Sequence, residues 1–246
     1  PEPIEKINYW SGNRSTVDEQ NIDADLKRAK QIADRNGLAM PVLGTYMGCS
    51  QLDVVESVMR AAASVGSTKM RVGPPRYDGS RRYQDLFEAA RRDFEKVAAL
   101  SRKHKVQACI EMHMGNITPS AGLAHRLVSN FDPTEIGVIF DPGNMVIEGM
   151  EQFKMGLELL GPYLSHVHAK NMAWAKTGEK DGVTQWDRQM VQLKRGQADW
   201  TEVVAALKSV GYDGWLSFED FSDVDTRTKL LDALVYLKEL EAAPGR

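Results

Sequence analysis

Short apolar runs alternate with longer amphipathic stretches along this chain. The stretches between the short runs carry apolar residues three and four positions apart, which is typical of a helix with one buried face. The short runs themselves predict six β-strands, at residues 38–46, 67–73, 106–114, 136–142, 164–170 and 214–220. Alternation of this kind indicates βα units arranged around a parallel sheet.

The ends of the helices follow from local signals. Ser80 is expected to cap the helix that follows it, and Glu202 stands three residues after Asp199, the spacing of a capping box. The Gly161-Pro162 pair is expected to end another helix. Residues 172–198 form a long connection, for which we expect an extended loop acting as a lid.

The predicted fold class is α/β, a (β/α)8 TIM barrel formed as a single domain over residues 1–246. Composition does not change along the chain, which favours one domain over two. Trp215, in the last predicted strand, is interpreted as a packing residue. A closed barrel needs eight strands, whereas residues 1–22 have the pattern of a polar loop. We therefore expect the first one or two βα units to be missing, upstream of Pro1.

Composition narrows the classes of partner. Apolar residues make up 42% and charged residues 26% of the chain, with a formal net charge of −3. Acidic and basic residues are interspersed, which disfavours nucleic acid and a membrane surface and favours a small-molecule partner. Cys49 and Cys109 lie far apart, so we expect reduced thiols and a cytoplasmic protein. A homo-oligomer stays open.

Polar residues stand at the carboxyl ends of four predicted strands, where function is located in this architecture. Glu111, Asp141 and His168 are separated by about one βα unit each, roughly 30 residues. Glu219 follows after a longer interval because residues 172–198 intervene. Three carboxylates gathered beside an imidazole in a partly desolvated site would repel one another unless a cation lay between them. The set predicts one divalent metal ion, Mn²⁺ first, with Mg²⁺, Co²⁺ or Zn²⁺ as alternatives.

Other polar residues on the inward faces are candidates for contact with a substrate. His113 lies on the face of Glu111 and nearer the barrel mouth, so either proton transfer or packing suits it. Arg71 would either neutralise barrel carboxylates or bind a substrate oxyanion, and Lys170 would stabilise an enolate oxygen. His166 is interpreted as a hydrogen-bonded interior residue rather than a ligand. Weaker candidates lie on loops, namely Glu148, Arg76 and the sugar-stacking or loop-pinning residues Trp174 and Trp186.

Five motifs give the chain a family resemblance. They are IEMH at 110–113, DPGN at 141–144, HVHAKN at 166–171, LKRGQADW at 193–200 and GYDGWLSFED at 211–220. With these motifs the chain resembles the xylose isomerase-like barrel family of sugar-phosphate isomerases and epimerases, which includes inosose dehydratase and ketose 3-epimerases.

The resemblance implies functional roles for particular residues. It implies that Glu111, Asp141, His168 and Glu219 bind the metal and that the two glutamates also accept and donate a proton. Asn144 stands where ketose 3-epimerases commonly carry a substrate-binding histidine, which argues against a ketose 3-epimerase identity.

These features predict a metal-dependent isomerase or epimerase of a sugar, sugar phosphate or keto-polyol that works through a metal-stabilised enediolate. Glu111 or Glu219 would remove the proton. The alternative is a lyase or dehydratase that acts on a keto-inositol or 3-keto-glycoside. An abasic-DNA endonuclease would need more histidines than the five present, and a noncatalytic metal-bearing subunit or sensor is the remaining class.

Overall fold

The computed structural model describes residues 17 and 21–243. Six parallel strands form one curled sheet in the order β1-β2-β3-β4-β5-β8. Their bounds are β1 (Val42–Leu43), β2 (Lys69–Arg71), β3 (Gln107–Glu111), β4 (Ile136–Phe140), β5 (Leu164–Ala169) and β8 (Leu216–Phe218). Each strand pairs with the next one along the chain except at the β5–β8 step. This is the arrangement of consecutive βα units in a TIM barrel, as the sequence predicts.

Helices cover the outside of this sheet. Their bounds are α1 (Ile22–Arg35), α2 (Leu52–Ser64), α3 (Tyr83–His104), α4 (Ala121–Val128), α5 (Pro142–Ile147), α6 (Phe153–Leu160), α7 (Trp200–Ser209) and α8 (Thr226–Ala242), with 3-10 turns at Gly161–Tyr163 and Leu193–Arg195. One face of α3 is buried, including Phe87, Ala90 and Phe94, as the apolar spacing of three and four positions predicts for these helices. Burial of a side chain such as Phe94 contributes about 1.5–3 kcal/mol, so these stripes hold the helices on the sheet.

Two local predictions are wrong. Residues 172–198 are not an extended loop, because β6 (Asn171–Lys180) and β7 (Val183–Val191) pair there as an antiparallel hairpin. Asp181 and Gly182 have φ values of 53° and 79°, the positive values that a tight hairpin turn requires. Ser80 does not cap α3 either, since that helix begins at Tyr83 after Arg82, while the Ser80 hydroxyl donates to Asp78 at 2.6 Å.

The described residues supply six of the eight strands of a closed (β/α)8 barrel, so β1 and β8 are sheet edges. Trp215, which is expected to pack inside, stands just before β8 and is 58% exposed. The outer face of α8 is also apolar and exposed, with Leu230, Leu231, Leu234 and Val235. The βα units expected before Pro1 lie outside the described residues.

The helices of residues 21–243 do not have the character of membrane spans. None of them is both long enough and apolar enough to cross a bilayer.

Candidate metal centre

Four strand ends bring the predicted ligands to one place. Glu111 is the last residue of β3, Asp141 follows β4, His168 lies in β5, and Glu219 comes directly after β8. The parallel register pairs Glu111 with Ile139 and His168 with Ser217, which aligns the carboxyl ends of neighbouring strands. The backbone N–H of Glu219 donates to the carbonyl of Ala169 at 3.1 Å.

These residues form a compact donor group. Glu111, Asp141, His168 and Glu219 each offer one ligand atom, and all these atoms lie within 4.8 Å of one another. Nδ1 of His168 faces the three carboxylates at 3.2 to 3.6 Å. Asp141 is fully buried, whereas the side chain of Glu219 is 21% exposed. Three carboxylate oxygens and one imidazole nitrogen fit a divalent cation that prefers oxygen ligands.

Two cationic side chains balance part of the negative charge. Arg71 forms a buried ion pair with Glu111, and Nζ of Lys170 lies 3.1 Å from Oε2 of Glu219 and 3.7 Å from Oδ2 of Asp141. Burial lowers the pKa of Lys170, but the neighbouring carboxylates outweigh burial and raise it. The ammonium group therefore stays charged beside the donor group.

Burial and neighbouring charges also act in opposite directions on the pKa values of two predicted ligands, Glu111 and His168. Burial raises the pKa of Glu111, but the hydrogen bond from His168 and the charge of Arg71 outweigh burial and hold that pKa well below its usual range. Burial opposes charge on His168, yet Asp141, Glu111 and Glu219 raise its pKa to about 10. Without a metal ion, a protonated His168 therefore supplies positive charge to the group.

Asn144 lies directly behind two of the predicted ligands. Its backbone N–H donates to Oδ1 of Asp141 at 2.9 Å, because Asp141 caps α5. Its side-chain amide, which is fully buried, donates to Asp141 at 2.8 Å, to the carbonyl of Met112 at 3.1 Å and to Glu111 at 3.2 Å. The residue thus orients Asp141 and Glu111, and its predicted contact with substrate stays a prediction.

The guanidinium of Arg71 contacts several other groups of the protein. Its Nε donates to the carbonyl of Thr45 at 2.5 Å, and its guanidinium lies 4.3 Å from the ring centroid of Tyr46. Together with the Glu111 ion pair, these contacts match the first of the two roles considered, neutralisation of a barrel carboxylate. Binding of a substrate oxyanion by Arg71 stays a prediction.

Of the remaining candidates, His113 lines the cavity beside the donor group, whereas Glu148 and Trp174 bond to neighbouring backbone. Nδ1 of His113 donates to the carbonyl of Met114 at 2.7 Å, which leaves Nε2 as the nitrogen open to a substrate. Glu148 accepts from the backbone N–H of Gly115 at 2.6 Å. Trp174 is 38% exposed, and its Nε1 donates to the carbonyl of Val146 at 3.0 Å, so the indole pins the base of the hairpin to α5.

His166 lies outside the donor group. Its Nε2 is 2.7 Å from the hydroxyl of Ser217, one layer below the ligands. Burial, followed by the positive charges of His168 and Lys69, lowers its pKa to about 4. His166 is thus a neutral interior residue that hydrogen-bonds to Ser217.

A cavity of about 360 Å³ opens beside the donor group. The residues singled out from the sequence that line it are Glu111, Arg71, His113 and Arg76. Tyr46 and Asn116 are among the lining residues that the sequence analysis did not single out. Both follow a strand at its carboxyl end, and that position is the signal by which the sequence could reveal them. A larger cavity of about 700 Å³ is lined by residues of α6 and α7 and contains none of the four donors, so it is not the reaction site.

Comparison with known proteins gives the same architecture. The family model for the xylose isomerase-like TIM barrel matches residues 6–240. The inosose dehydratase of Lacticaseibacillus casei is 24% identical over 171 residues, which is 64% of this chain and 55% of the relative. The chain thus spans about half the length of the curated relatives it matches.

Solved structures are similar in fold. A 3-keto-D-glucoside 4-epimerase from E. coli has a TM-score of 0.73 at 16% identity, covering 90% of this chain and 87% of that one. A xylose isomerase-like TIM barrel protein from Mycobacterium smegmatis, solved in complex with magnesium, has a TM-score of 0.66 at 18% identity, covering 89% and 78%. These likenesses show the fold.

Proposed function

The chain belongs to the xylose isomerase-like TIM barrel family, and from this premise we propose that it is a metal-dependent isomerase or epimerase of a sugar, sugar phosphate or keto-polyol. The observation that carries the proposal is the donor group of Glu111, Asp141, His168 and Glu219, whose ligand atoms lie within 4.8 Å of one another. We propose Mn²⁺ as the ion because the set has three oxygen donors and one nitrogen.

The chain's own residues supply acid–base chemistry. A bound divalent cation supplies Lewis-acid polarisation of a substrate carbonyl. Glu219 is the better proton acceptor of the two glutamates, because it keeps partial access to solvent at 21% exposure. Glu111 is engaged on both oxygens, with Arg71 on one and with His168 and Asn144 on the other. Glu219 therefore removes the proton next to the carbonyl, and Glu111 or His113 returns one.

Lys170 supports the same step. Its ammonium donates a hydrogen bond to Oε2 of Glu219 at 3.1 Å, which holds that carboxylate in place beside the donor group. Its position between Glu219 and Asp141 also lets it stabilise negative charge that develops on a substrate oxygen. Loss of this charge should slow the chemical step more than it weakens substrate binding.

A dehydratase or lyase is the second candidate, acting on a keto-inositol or 3-keto-glycoside. The inosose dehydratase relative, 24% identical over 171 residues, favours it. His113 also offers a free Nε2 beside the cavity, where an imidazolium could protonate a leaving hydroxyl. Both candidates share proton removal by a glutamate, and they differ in whether carbon regains a proton or a leaving group departs.

Other properties are proposed on separate grounds. Cys49 and Cys109 are free and buried, and burial raises the pKa values of their thiols to about 12 and about 11. Unreactive, unpaired thiols suit a reducing compartment, which supports the cytoplasm. A small-molecule partner follows from the family, and a single domain and a homo-oligomer stay predictions.

A substrate screen tests the proposed function. The Mn²⁺-loaded protein is mixed with a panel of ketoses, ketose phosphates and keto-inositols, and products are followed by NMR. We expect a product of unchanged composition from at least one ketose, and loss of that activity in Glu219→Gln. The matched control is Glu158→Gln, which removes an exposed carboxylate on α6 and should leave the activity unchanged.

A further inference from the structure

We propose that Arg76 binds an anionic group, a carboxylate or a phosphate, at the end of the substrate remote from the metal. The inference rests on the proposed function, since it concerns the substrate of the same site. Arg76 and Glu111 both line the 360 Å³ cavity, so one molecule in this cavity reaches both. A volume of this size suits a ligand as large as a monosaccharide derivative.

The backbone holds Arg76 in a fixed position. The loop after β2 and the loop after β3 are joined by a bridge between Arg76 and Asn116. The N–H of Tyr77 donates to the carbonyl of Gly115 at 2.8 Å, and the N–H of Ile117 donates to Pro75 at 3.1 Å. These bonds on both sides of Arg76 place its side chain at the rim without help from a substrate.

The guanidinium lies over Gly115. A Cβ atom built on Gly115 would stand 3.6 Å from Nη2 of Arg76, so the glycine leaves room for the guanidinium to lie close to the backbone. Gly115 also has a φ of 76°, a conformation that glycine adopts without strain. The glycine at position 115 therefore permits both the turn of this loop and the close approach of the Arg76 guanidinium.

Within the described part of the chain, Arg76 differs from the other cations of the site because its guanidinium has no bonded partner. Arg71 is paired with Glu111, and Lys170 is paired with Glu219. Among residues 21–243, no side chain forms a hydrogen bond or ion pair with the guanidinium of Arg76.

The charge of Arg76 acts on the carboxylate of Asp78, but the hydrogen bonds of that carboxylate come from Ser80. Its Oδ1 accepts from the backbone N–H and the hydroxyl of Ser80 at 2.9 and 2.6 Å. These hydrogen bonds, and to a smaller extent the charge of Arg76, lower the pKa of Asp78. A guanidinium without a bonded partner at a cavity rim suits a carboxylate or phosphate, to which it can donate two parallel hydrogen bonds.

The charge of the whole site points the same way. The three carboxylates of the donor group carry three negative charges, and Arg71 and Lys170 carry two positive ones. A divalent ion brings this sum to +1, and Glu148, which accepts from the N–H of Gly115 beside Arg76, brings it back to zero, so Arg76 makes the site net positive. Arg76 adds a further positive charge at the same cavity. A substrate that carries its own negative charge is therefore favoured over a neutral sugar of the same size.

A matched set of three ketoses tests the proposal. D-fructose, D-fructose 6-phosphate and D-fructuronate share a keto end and differ in a neutral, phosphate or carboxylate far end. Binding of each to Co²⁺-loaded protein is measured by calorimetry, and the visible Co²⁺ spectrum reports contact with the metal. We expect at least one anionic ketose to bind about tenfold tighter than fructose, since each factor of ten corresponds to about 1.4 kcal/mol. The preferred anion identifies whether carboxylate or phosphate is the natural group.

The variant Arg76→Gln should lower the anionic preference to below about threefold while leaving fructose affinity unchanged, because only a charge-assisted contact is lost. The control Arg92→Gln removes an exposed arginine from the middle of α3 and should keep the full preference. Equal affinity for all three ketoses in the wild type, or equal weakening of all three by Arg76→Gln, overturns the proposal.

Failure of the proposed function gives a different result. If Co²⁺ binds but none of the three ketoses changes its spectrum or binds by calorimetry, the sugar assignment loses its support. Inorganic phosphate then tests Arg76 by itself. Wild-type protein should bind phosphate about tenfold tighter than Arg76→Gln does, the loss typical of one charge-assisted contact. Equal phosphate binding by the two proteins overturns the role of Arg76.

Discussion

Nδ1 of His168 lies 3.2 Å from Oε1 of Glu111, and the same nitrogen lies 3.5 Å from Asp141 and 3.6 Å from Glu219. Without a metal ion, these carboxylates outweigh the effect of burial and raise the pKa of His168 to about 10. The ring is then protonated at neutral pH, and the proton occupies the lone pair that a metal would use. Metal binding must therefore displace a proton.

The first prediction concerns this proton. Below pH about 10 the metal-free protein holds the imidazolium, so binding of one divalent ion should release about one proton, and metal affinity should rise with pH. Calorimetric titrations with Mn²⁺ in buffers of different ionisation enthalpy measure the release. His168→Gln should bind the ion more weakly and without this release. Binding heats that are independent of the buffer in wild-type protein would contradict the assignment of Nδ1 as the ligand.

The second prediction separates the two histidines. We expect wild-type protein to bind roughly one equivalent of metal, and Glu219→Gln and His168→Ala, which each remove a donor from the group, should lose most of it. His166→Ala should retain the metal, because His166 bonds to Ser217 outside the group. Elemental analysis after dialysis gives the stoichiometry, and equal loss in all three variants would refute the choice of His168.

The third prediction concerns Asn144, whose amide donates to Asp141 and Glu111. Asn144→Ala should weaken metal binding by about 10–100-fold, the usual effect of removing a group that orients ligands. Asn116→Ala is the control, since Asn116 lines the cavity outside the donor group. Metal affinities that fall equally in both variants would show that Asn144 has no special orienting role.

The strand ends could be predicted from sequence because parallel strands place their carboxyl ends at one edge. Glu111, Asp141 and His168 each close a short apolar run, and their spacing of about one βα unit follows from that repeat. Which side chains pair cannot be predicted in this way. Arg71 bonds to Glu111, and this choice depends on rotamers and on the position of Thr45 in a different strand connection.

Two wrong predictions have separate physical causes. The length of residues 172–198 favours a loop, yet Asp181-Gly182, a strong turn pair, stands between two runs with β-forming residues and closes the β6–β7 hairpin. The local turn signal therefore outweighs segment length. Alternation in a closed barrel places Trp215 inside, whereas β8 is an edge of the described sheet and leaves that side chain exposed.

The fourth prediction concerns the base of that hairpin. A Cβ on Gly196 would overlap Oδ1 of Asn171, whose amide also donates to the carbonyls of Leu193 and Ala198 at 2.8 Å each. Gly196→Ala should therefore lower the free energy of unfolding by about 1–3 kcal/mol, as overpacking of a tight site does. Gly178→Ala, where nothing lies within 4 Å of the added atom, is the control and should be neutral. Urea denaturation measures both, and equal stabilities would contradict the packing described for Asn171.

The proposed site moves a proton on carbon next to a carbonyl and returns it, and turnover in D₂O tests this most directly. The Mn²⁺-loaded protein is incubated in D₂O with the ketose it converts, and substrate and product are followed by proton NMR and mass spectrometry. In the proposed mechanism Glu219 accepts the carbon-bound proton at a partly exposed site, so that proton should exchange with solvent before reprotonation. We expect a product that carries deuterium at the new position and otherwise has the mass of the substrate. A product lighter by water or by an aglycone would contradict the isomerase assignment and establish the lyase reaction.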